Sequence, residues 1–152
     1  MRFVKESVIR ASCERVFAFH EQPDALRLLS PPWQNIRIIQ TAQISEIGSR
    51  AVVELKIFGL FKSRWVAEHT IYDPPNVFED IQIAGPFRSW RHRHIVERYP
   101  NGALLKDVID FQLPLGILGR ALAPVLILKR LQRLFNYRHE VTKRWCEKQP
   151  PG

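Results

Sequence analysis

The stretch VFEDIQIAGPFRSWRHRHIVERYPNGALLKDVIDFQL, residues 77–113, decides the fold. It contains three segments with the two-residue alternation and the aromatic and β-branched content of strands. Gly85-Pro86 and the sequence at 100–102, Pro-Asn-Gly, separate them, and these residue types favour turns. Because connections this short join neighbouring antiparallel strands, the stretch predicts part of an antiparallel meander.

The same pattern extends toward the N-terminus. Turn residues delimit three more segments with strand character: IRIIQTAQISEI (36–47), RAVVELKIF (50–58) and FKSRWVAEHTIYD (61–73). Residues 2–11 predict a first strand, whose Phe3 and Ile9 face opposite to Val4 and Val8. The sequence therefore predicts seven antiparallel strands.

Two short helices are predicted after the first strand. Ser12 stands where a helix N-cap is expected, ahead of CERVFAFHEQ (13–22). Pro23 begins a second short helix, which the Pro31-Pro32 pair must end.

The sequence after Pro114 predicts one long helix over about residues 125–148. At about 100° per residue its apolar side chains gather on one side: Ile127, Leu131, Leu134, Phe135, Val141 and Trp145. Arg138 lies near the centre of this stripe, so we expect its guanidinium to point into the fold. An unpaired buried charge costs several kcal/mol, which makes Asp107 or Asp80 the expected partner.

The composition is that of one ordinary globular domain, which we place at residues 1–149. The chain has 152 residues, 45% of them hydrophobic and 25% charged, and a net charge of +8. Cys13 and Cys146 have no metal-binding spacing and are too few for a disulfide framework, which favours a reducing compartment. The N-terminus lacks the apolar core of a signal peptide, and no run is long enough to span a membrane. We expect a cytoplasmic protein.

The chain resembles the START-like, SRPBCC superfamily, which includes polyketide cyclase/dehydrase-like proteins and lipid-transfer domains. The resemblance rests on the order of the elements and on segments similar to those of bacterial members: VFAFHEQPDAL, LLSPPW, HTIYDPP, FEDIQIAGPFRSWRHRH, LPLGILGRALAP and FNYRH. It implies the α+β helix-grip fold, in which a seven-stranded antiparallel sheet wraps around the long C-terminal helix. It also implies an internal cavity that holds a hydrophobic or amphipathic small molecule or lipid.

Several inward-facing side chains suit such a cavity. Apolar strand faces at 61–73 and 103–113 each carry one polar residue, His69 and Asp107, and FRSWRHRHIVER (87–98) places two histidines beside a tryptophan. The predicted ligand-binding residues are Trp65, His69, Asp80, Gln82, Trp90, His92, His94, Phe111 and Arg138.

Strand 77–84 gives conflicting indications. The number of apolar residues favours Val77, Glu79, Ile81 and Ile83 facing inward. The resemblance instead favours Asp80 and Gln82 as functional positions.

His92 and His94 allow three interpretations. They could form a hydrogen-bonded structural set with Asp107 or Asp80. Alternatively, His92 or His94 could move a proton with Asp107 as the orienting carboxylate, as in a cyclase/dehydrase-like enzyme. They could also hold zinc or iron with Asp80, Asp107 or His69. Because a bare His-x-His motif does not fix a third ligand, we predict no metal and no cofactor.

We do not predict nucleic-acid binding, because a basic, solvent-exposed helix face is enough to explain the positive charge. The outer side of the last helix is basic, as solvated helix faces often are, and the glycines form no phosphate loop. The apolar segment within 116–135 could instead contact a membrane surface or a second copy of the chain.

Overall fold

The computed structural model describes residues 1–57, 61–114 and 123–148. In chain order they form β1 (Arg2–Ile9), α1 (Cys13–Glu21), α2 (Ala25–Leu28), a 3-10 turn (Pro32–Gln34), β2 (Arg37–Gln40), β3 (Arg50–Ile57), β4 (Phe61–Asp73), β5 (Val77–Ala84), β6 (Ser89–Tyr99), β7 (Gly102–Gln112) and α3 (Ala123–Glu147). The strands make one antiparallel sheet in the order β1-β7-β6-β5-β4-β3-β2. The predicted seven-stranded sheet, two short helices and long C-terminal helix are confirmed.

Local sequence signals account for the start of α1 and the faces of β1. The side chain of Ser12 accepts a hydrogen bond from the backbone N–H of Arg15 at 3.2 Å, as an N-cap does. In β1, Phe3 and Ile9 are buried, whereas the alternate valines are exposed. The predicted cap and strand register are both confirmed.

The second strand is shorter than predicted. Only Arg37–Gln40 of the segment 36–47 is a strand. Beyond it the backbone bonds to itself: Glu46 N–H donates to Gln43 O at 3.1 Å, and the next turn requires Gly48 at a φ of 87°. The prediction of a strand through residue 47 is therefore wrong, because local turn hydrogen bonds replace the ladder.

Two apolar clusters fill the space between the inner face of the sheet and the helices. The first includes residues of α1, such as Phe17, together with Phe78 of β5. The second joins Phe3 and Phe111 to Phe135 of α3. The functional site lies between these two clusters.

Two other predictions concern the surface. Part of the segment 116–135 proposed for membrane or dimer contact, residues 116–122, lies outside the described residues. Among the helices that are described, none has the length and hydropathy required to cross a membrane. Both cysteines are buried and free.

Candidate functional site

The strand register brings the acidic residues and the histidines to one face. Phe78 pairs with His94, Asp80 pairs with His92, and His94 pairs in turn with Asp107 on the next strand. Directly opposed residues of antiparallel strands project from the same side. These five side chains therefore share the inner face, which faces α3.

The expectation drawn from the apolar count on β5 is wrong, and the resemblance gave the correct face. Glu79 faces outward, and Arg93 at 2.8 Å and the Thr70 hydroxyl at 3.0 Å hold its carboxylate. Ile83 lies on the same outer side and is 45% exposed. The apolar count failed because the inner face carries a buried polar cluster, which that count treats as solvent-facing.

Asp107 is the centre of this cluster. Its Oδ1 accepts a hydrogen bond from His92 Nε2 at 2.7 Å, and its Oδ2 contacts His139 Nε2 at 2.6 Å. His94 Nδ1 also lies 2.7 Å from Oδ1, but without the direction of a hydrogen bond, so this is a close ionic contact. The far side of the His139 ring contacts the Ser7 hydroxyl through Nδ1 at 2.8 Å.

Asp80 is a second carboxylate on the opposite side of the two histidines. Its Oδ2 lies 3.6 Å from His92 Nδ1 and 3.6 Å from His94 Nε2. The two imidazole rings are 3.7 Å apart between centroids. Each ring therefore has one nitrogen directed to Asp107 and the other to Asp80.

All five histidines of the chain are buried in or beside this cluster. His20 contacts the Val16 carbonyl through Nδ1 at 2.9 Å, and its ring lies 5.7 Å from that of His94. His69 is only 8% exposed, and its Nδ1 has no hydrogen-bond partner. Because orphaned buried polar atoms are uncommon, that nitrogen marks a place where the polar cluster is incomplete.

The ionisable residues of the cluster have pKa values shifted in different directions. Burial opposes the charge on His94, but the attraction of Asp107 and Asp80 outweighs it and raises the pKa of His94 to about 8. Burial, together with the charge of His94, lowers the pKa of His92, and burial lowers the pKa of His20 to about 3. The pKa of Asp107 lies well below its usual range: burial would raise it, but His94 and the contacts from the three imidazoles prevail. At neutral pH a protonated His94 thus lies between two carboxylates.

The predicted pairing of Arg138 with Asp107 or Asp80 is wrong. Among the described residues, no carboxylate lies within 4.0 Å of its guanidinium. Its Nε instead donates to the Leu29 carbonyl at 3.2 Å, and the group lies over the ring of Phe135. His139, one position further along the helix, occupies the place beside Asp107.

His139 is a functional candidate that the sequence reasoning missed. The buried residues of α3 recur at helical spacing through Leu131, Phe135, His139, Thr142 and Cys146. Two of these five, His139 and Thr142, are polar, so a search for apolar residues alone placed the predicted stripe about one position away from the buried face. The i, i+4 relation between Phe135 and His139 was the available signal.

An aromatic wall continues the inner face beyond the cluster. Trp90 contacts Trp65 at 4.9 Å, Phe87 at 4.8 Å and Phe111 at 5.9 Å between ring centroids. His92 lies 6.4 Å from the same Trp90 ring, which joins the wall to the polar cluster. Trp65 and Phe87 are only half-buried, so this end of the wall reaches the surface.

Gln82 has a local role in the structure. Its amide donates to the Phe87 carbonyl at 2.8 Å and accepts from the Phe87 N–H at 3.3 Å. These two hydrogen bonds close the β5–β6 turn, where a Cβ at Gly85 would clash with Gln82 Oε1. Its assignment to ligand binding stays a prediction.

Two surface depressions lie outside the aromatic wall. The larger, about 800 Å³, is lined by outer-face residues of the sheet, including Arg93, and by the start of α1. The smaller, about 530 Å³, lies between β1 and α3 and includes Ser7 and His139 in its lining. None of the five histidines and neither Asp80 nor Asp107 lines the larger one, so it is separate from the histidine cluster.

A seven-stranded antiparallel sheet packed against a long C-terminal helix, with a polar cluster on the inner face, defines a START-like helix-grip protein. The chain belongs to the family described as "Polyketide cyclase / dehydrase and lipid transport", whose profile matches residues 9–137. No curated protein matches the sequence.

Solved structures share this fold at low sequence identity. The protein TTHA0849 from Thermus thermophilus is 17% identical, with a TM-score of 0.71 over 93% of this chain and 97% of its own. A START superfamily protein from Mycobacterium smegmatis is 14% identical, with a TM-score of 0.69 over 97% of both chains. The di-domain ARO/CYC StfQ from the steffimycin biosynthetic pathway is 13% identical, with a TM-score of 0.72 over 97% of this chain and 50% of its own.

Proposed function

We propose that the protein binds a hydrophobic or amphipathic small molecule, lipids included, on the inner face of its sheet. The observation that carries the proposal is the junction between the aromatic wall and the histidine cluster at Trp90 and His92. Ligand sites combine an apolar lining with a few convergent polar groups, and this junction supplies both. The family to which the chain belongs includes lipid transport in its description.

The wall provides the apolar part of the proposed site. Trp65 and Phe87 meet edge to face at 5.5 Å, and both keep part of their surface exposed. Leu113 and Ile127 are half-buried and pack against the apolar cluster that contains Trp90 and Phe111. An apolar ligand covering these side chains would remove further apolar surface from water, which favours binding by about 25 cal/mol per Å².

The histidine cluster and the neighbouring Arg138 provide the polar part of the proposed ligand site. His94 brings positive charge to this part of the inner face, but both of its nitrogens are directed to Asp107 and Asp80. Arg138 is the cationic group whose donors could meet a carboxylate, carbonyl or hydroxyl. The Arg138 guanidinium makes one described hydrogen bond, through Nε to Leu29. A ligand head group would be recognised there while its apolar remainder lies against the wall.

Fluorescence titration with 1-anilinonaphthalene-8-sulfonate tests the proposal with a matched pair of variants. Trp65→Leu removes an aromatic side chain from the wall, and we expect it to weaken binding about 2- to 10-fold, the value of an aromatic contact. Trp33→Leu is the control, because Trp33 is 44% exposed and contacts Tyr137 instead. Equal affinities of the two variants would contradict the proposed site.

Acid/base catalysis is a second candidate, favoured by the hydrogen bond between His92 and Asp107. A carboxylate that holds an imidazole in one orientation is the arrangement used by histidine general bases. The substrate to test is the molecule that native mass spectrometry finds on the purified protein. His92→Ala should then abolish turnover and preserve most binding if the protein is an enzyme, whereas a pure binder should show only a modest loss of affinity.

A further inference from the structure

The inner face contains three side chains whose donor atoms surround one point. They are Asp80, His92 and His94, and their carboxylate oxygen and ring nitrogens all lie within 4.8 Å of one another. Both distances from Asp80 Oδ2 to the ring nitrogens are 3.6 Å. An ion bound tetrahedrally at about 2.0–2.1 Å keeps its ligand atoms about 3.4 Å apart, so the two distances from Asp80 are already close to that spacing.

The carboxylate that contacts the far nitrogens of His92 and His94 is the kind of group that usually contacts metal-binding histidines. A metal-binding histidine usually donates its other ring N–H to a carboxylate, which fixes the tautomer and the ring orientation. Here Asp107 Oδ1 lies 2.7 Å from the far nitrogen of both His92 and His94. His139 in turn holds the second oxygen of Asp107 at 2.6 Å. The same carboxylate thus holds His92 by a hydrogen bond and His94 by a close ionic contact, and the other nitrogen of each ring faces Asp80.

A second observation points to the same place. His69 is directly opposite Asp80 in the β4–β5 ladder, and its Nδ1 is buried without a partner. The charges of Asp80 and His94 both act on its ring. A polar atom without a partner beside three potential ligands is what a site for a further bound species contains.

We propose that Asp80, His92 and His94 bind one divalent first-row transition ion, with zinc or ferrous iron as the best matches to two imidazoles and one carboxylate. Zinc and iron both accept this donor set, and three protein ligands leave a coordination position open. The ion replaces the proton on the His94 nitrogen that faces Asp80, and this proton is released to solvent. Magnesium and calcium prefer oxygen ligands alone and are excluded by the two nitrogens. The site goes beyond small-molecule binding and does not depend on it.

Calorimetric titration of Zn²⁺ into the protein, produced without a histidine tag and stripped with EDTA, tests the site directly. The expected result is one Zn²⁺ per chain, with no competition from Mg²⁺. Asp80→Asn keeps the size of the side chain but removes the anionic ligand, and should weaken Zn²⁺ binding more than tenfold. Asp107→Asn should weaken it about 10- to 100-fold through loss of the orienting carboxylate.

His20→Phe is the matched control. His20 is another buried histidine, and its ring contacts the rings of Phe19, Phe78 and His94. It is not one of the three proposed metal ligands. The variant should keep the wild-type affinity for Zn²⁺. Failure of the wild-type protein to bind Zn²⁺ stoichiometrically, or equal affinities for Asp80→Asn and wild type, would overturn the proposal.

A measurement on the wild-type chain keeps the proposal testable if Asp80→Asn does not fold. Paramagnetic Co²⁺ should broaden the backbone amide signals of Asp80, His92 and His94 most strongly. It should broaden that of Lys62 least, because Lys62 is seven residues along β4 from His69, the partner of Asp80, or about 23 Å. Broadening centred elsewhere would overturn the site. Because this readout and the Zn²⁺ titration need no organic ligand, their failure is distinct from failure of the proposed small-molecule binding.

Discussion

Asp107→Asn removes one negative charge from the centre of the histidine cluster with almost no change in shape. The carboxyl group is 3% exposed and meets three imidazoles at 2.6–2.7 Å. Breaking a buried ion pair by removing one partner costs about 3–5 kcal/mol. For a chain of this length, 1 kcal/mol changes Tm by about 2–4 °C, so Tm should fall by roughly 6–20 °C.

Asp110→Asn is the matched control on the same strand. Its carboxylate pairs with Arg2 at 2.7 Å on the outer face, where the Asp110 side chain is 41% exposed. Exposed ion pairs contribute about 0–1 kcal/mol, so Tm should fall by at most about 4 °C. Thermal unfolding followed by circular dichroism measures both variants. If Asp107→Asn unfolds at the same temperature as Asp110→Asn, the central role of Asp107 is refuted.

The pH dependence provides a second check on the same variant. Because the pKa of Asp107 is lower in the folded chain than in the unfolded chain, its stabilising effect is present above about pH 4 and is lost as the pH falls below that value. The raised pKa of His94, about 8, gives a contribution that is complete below about pH 6.5 and lost as the pH rises through 8. The stability difference between wild type and Asp107→Asn should therefore narrow in both directions away from neutral pH.

Other predictions concern the scaffold. Ser12→Ala should cost about 0.5–2 kcal/mol in urea unfolding, because it removes the N-cap hydrogen bond of α1. Gly102→Ala should destabilise more than Gly48→Ala in the same assay, because a Cβ at residue 102 would clash with the Ile9 carbonyl oxygen of β1. A Cβ at residue 48 would have open space and only the strain of its positive φ, about 1–2 kcal/mol. Burial raises the pKa of both thiols, that of Cys146 to about 12, so Cys13 and Cys146 should react with a chromogenic disulfide reagent far more slowly in the native protein than in urea.

Turn residues and two-residue alternation predicted the strands, and the resemblance to a known superfamily added how the sheet wraps around the last helix. Short connections between apolar segments leave few arrangements other than a meander, and the N-cap and proline signals place the helices around it. The prediction failed at residues 41–47, where local hydrogen bonds replace the ladder: Glu46 N–H donates to Gln43 O, and Gln43 N–H donates to the Ser49 hydroxyl. A count of polar and apolar faces does not include such bonds.

The site was predictable only where one strand carried the signal by itself. His92, His94 and their shared face with Trp90 follow from alternation within β6. The side of β5 that holds Asp80 depends on pairing across strands, and the apolar count chose the opposite side because it treats buried carboxylates as exposed. His139 was missed for the same reason: a polar residue at a core position looks like an interruption of an apolar stripe until its partner, Asp107, is located.

The central claim is that ligands bind where the aromatic wall meets the histidine cluster. The chain has four tryptophans, so the indole N–H region of a ¹H–¹⁵N spectrum reports on four places in the fold at once. Trp65 and Trp90 belong to the wall, whereas Trp33 contacts Tyr137 and Trp145 contacts Phe19. Titration with decanoic acid should shift the Trp65 and Trp90 signals together and leave those of Trp33 and Trp145 in place. Shifts confined to Trp33 or Trp145, or none at saturating decanoic acid, would contradict the account.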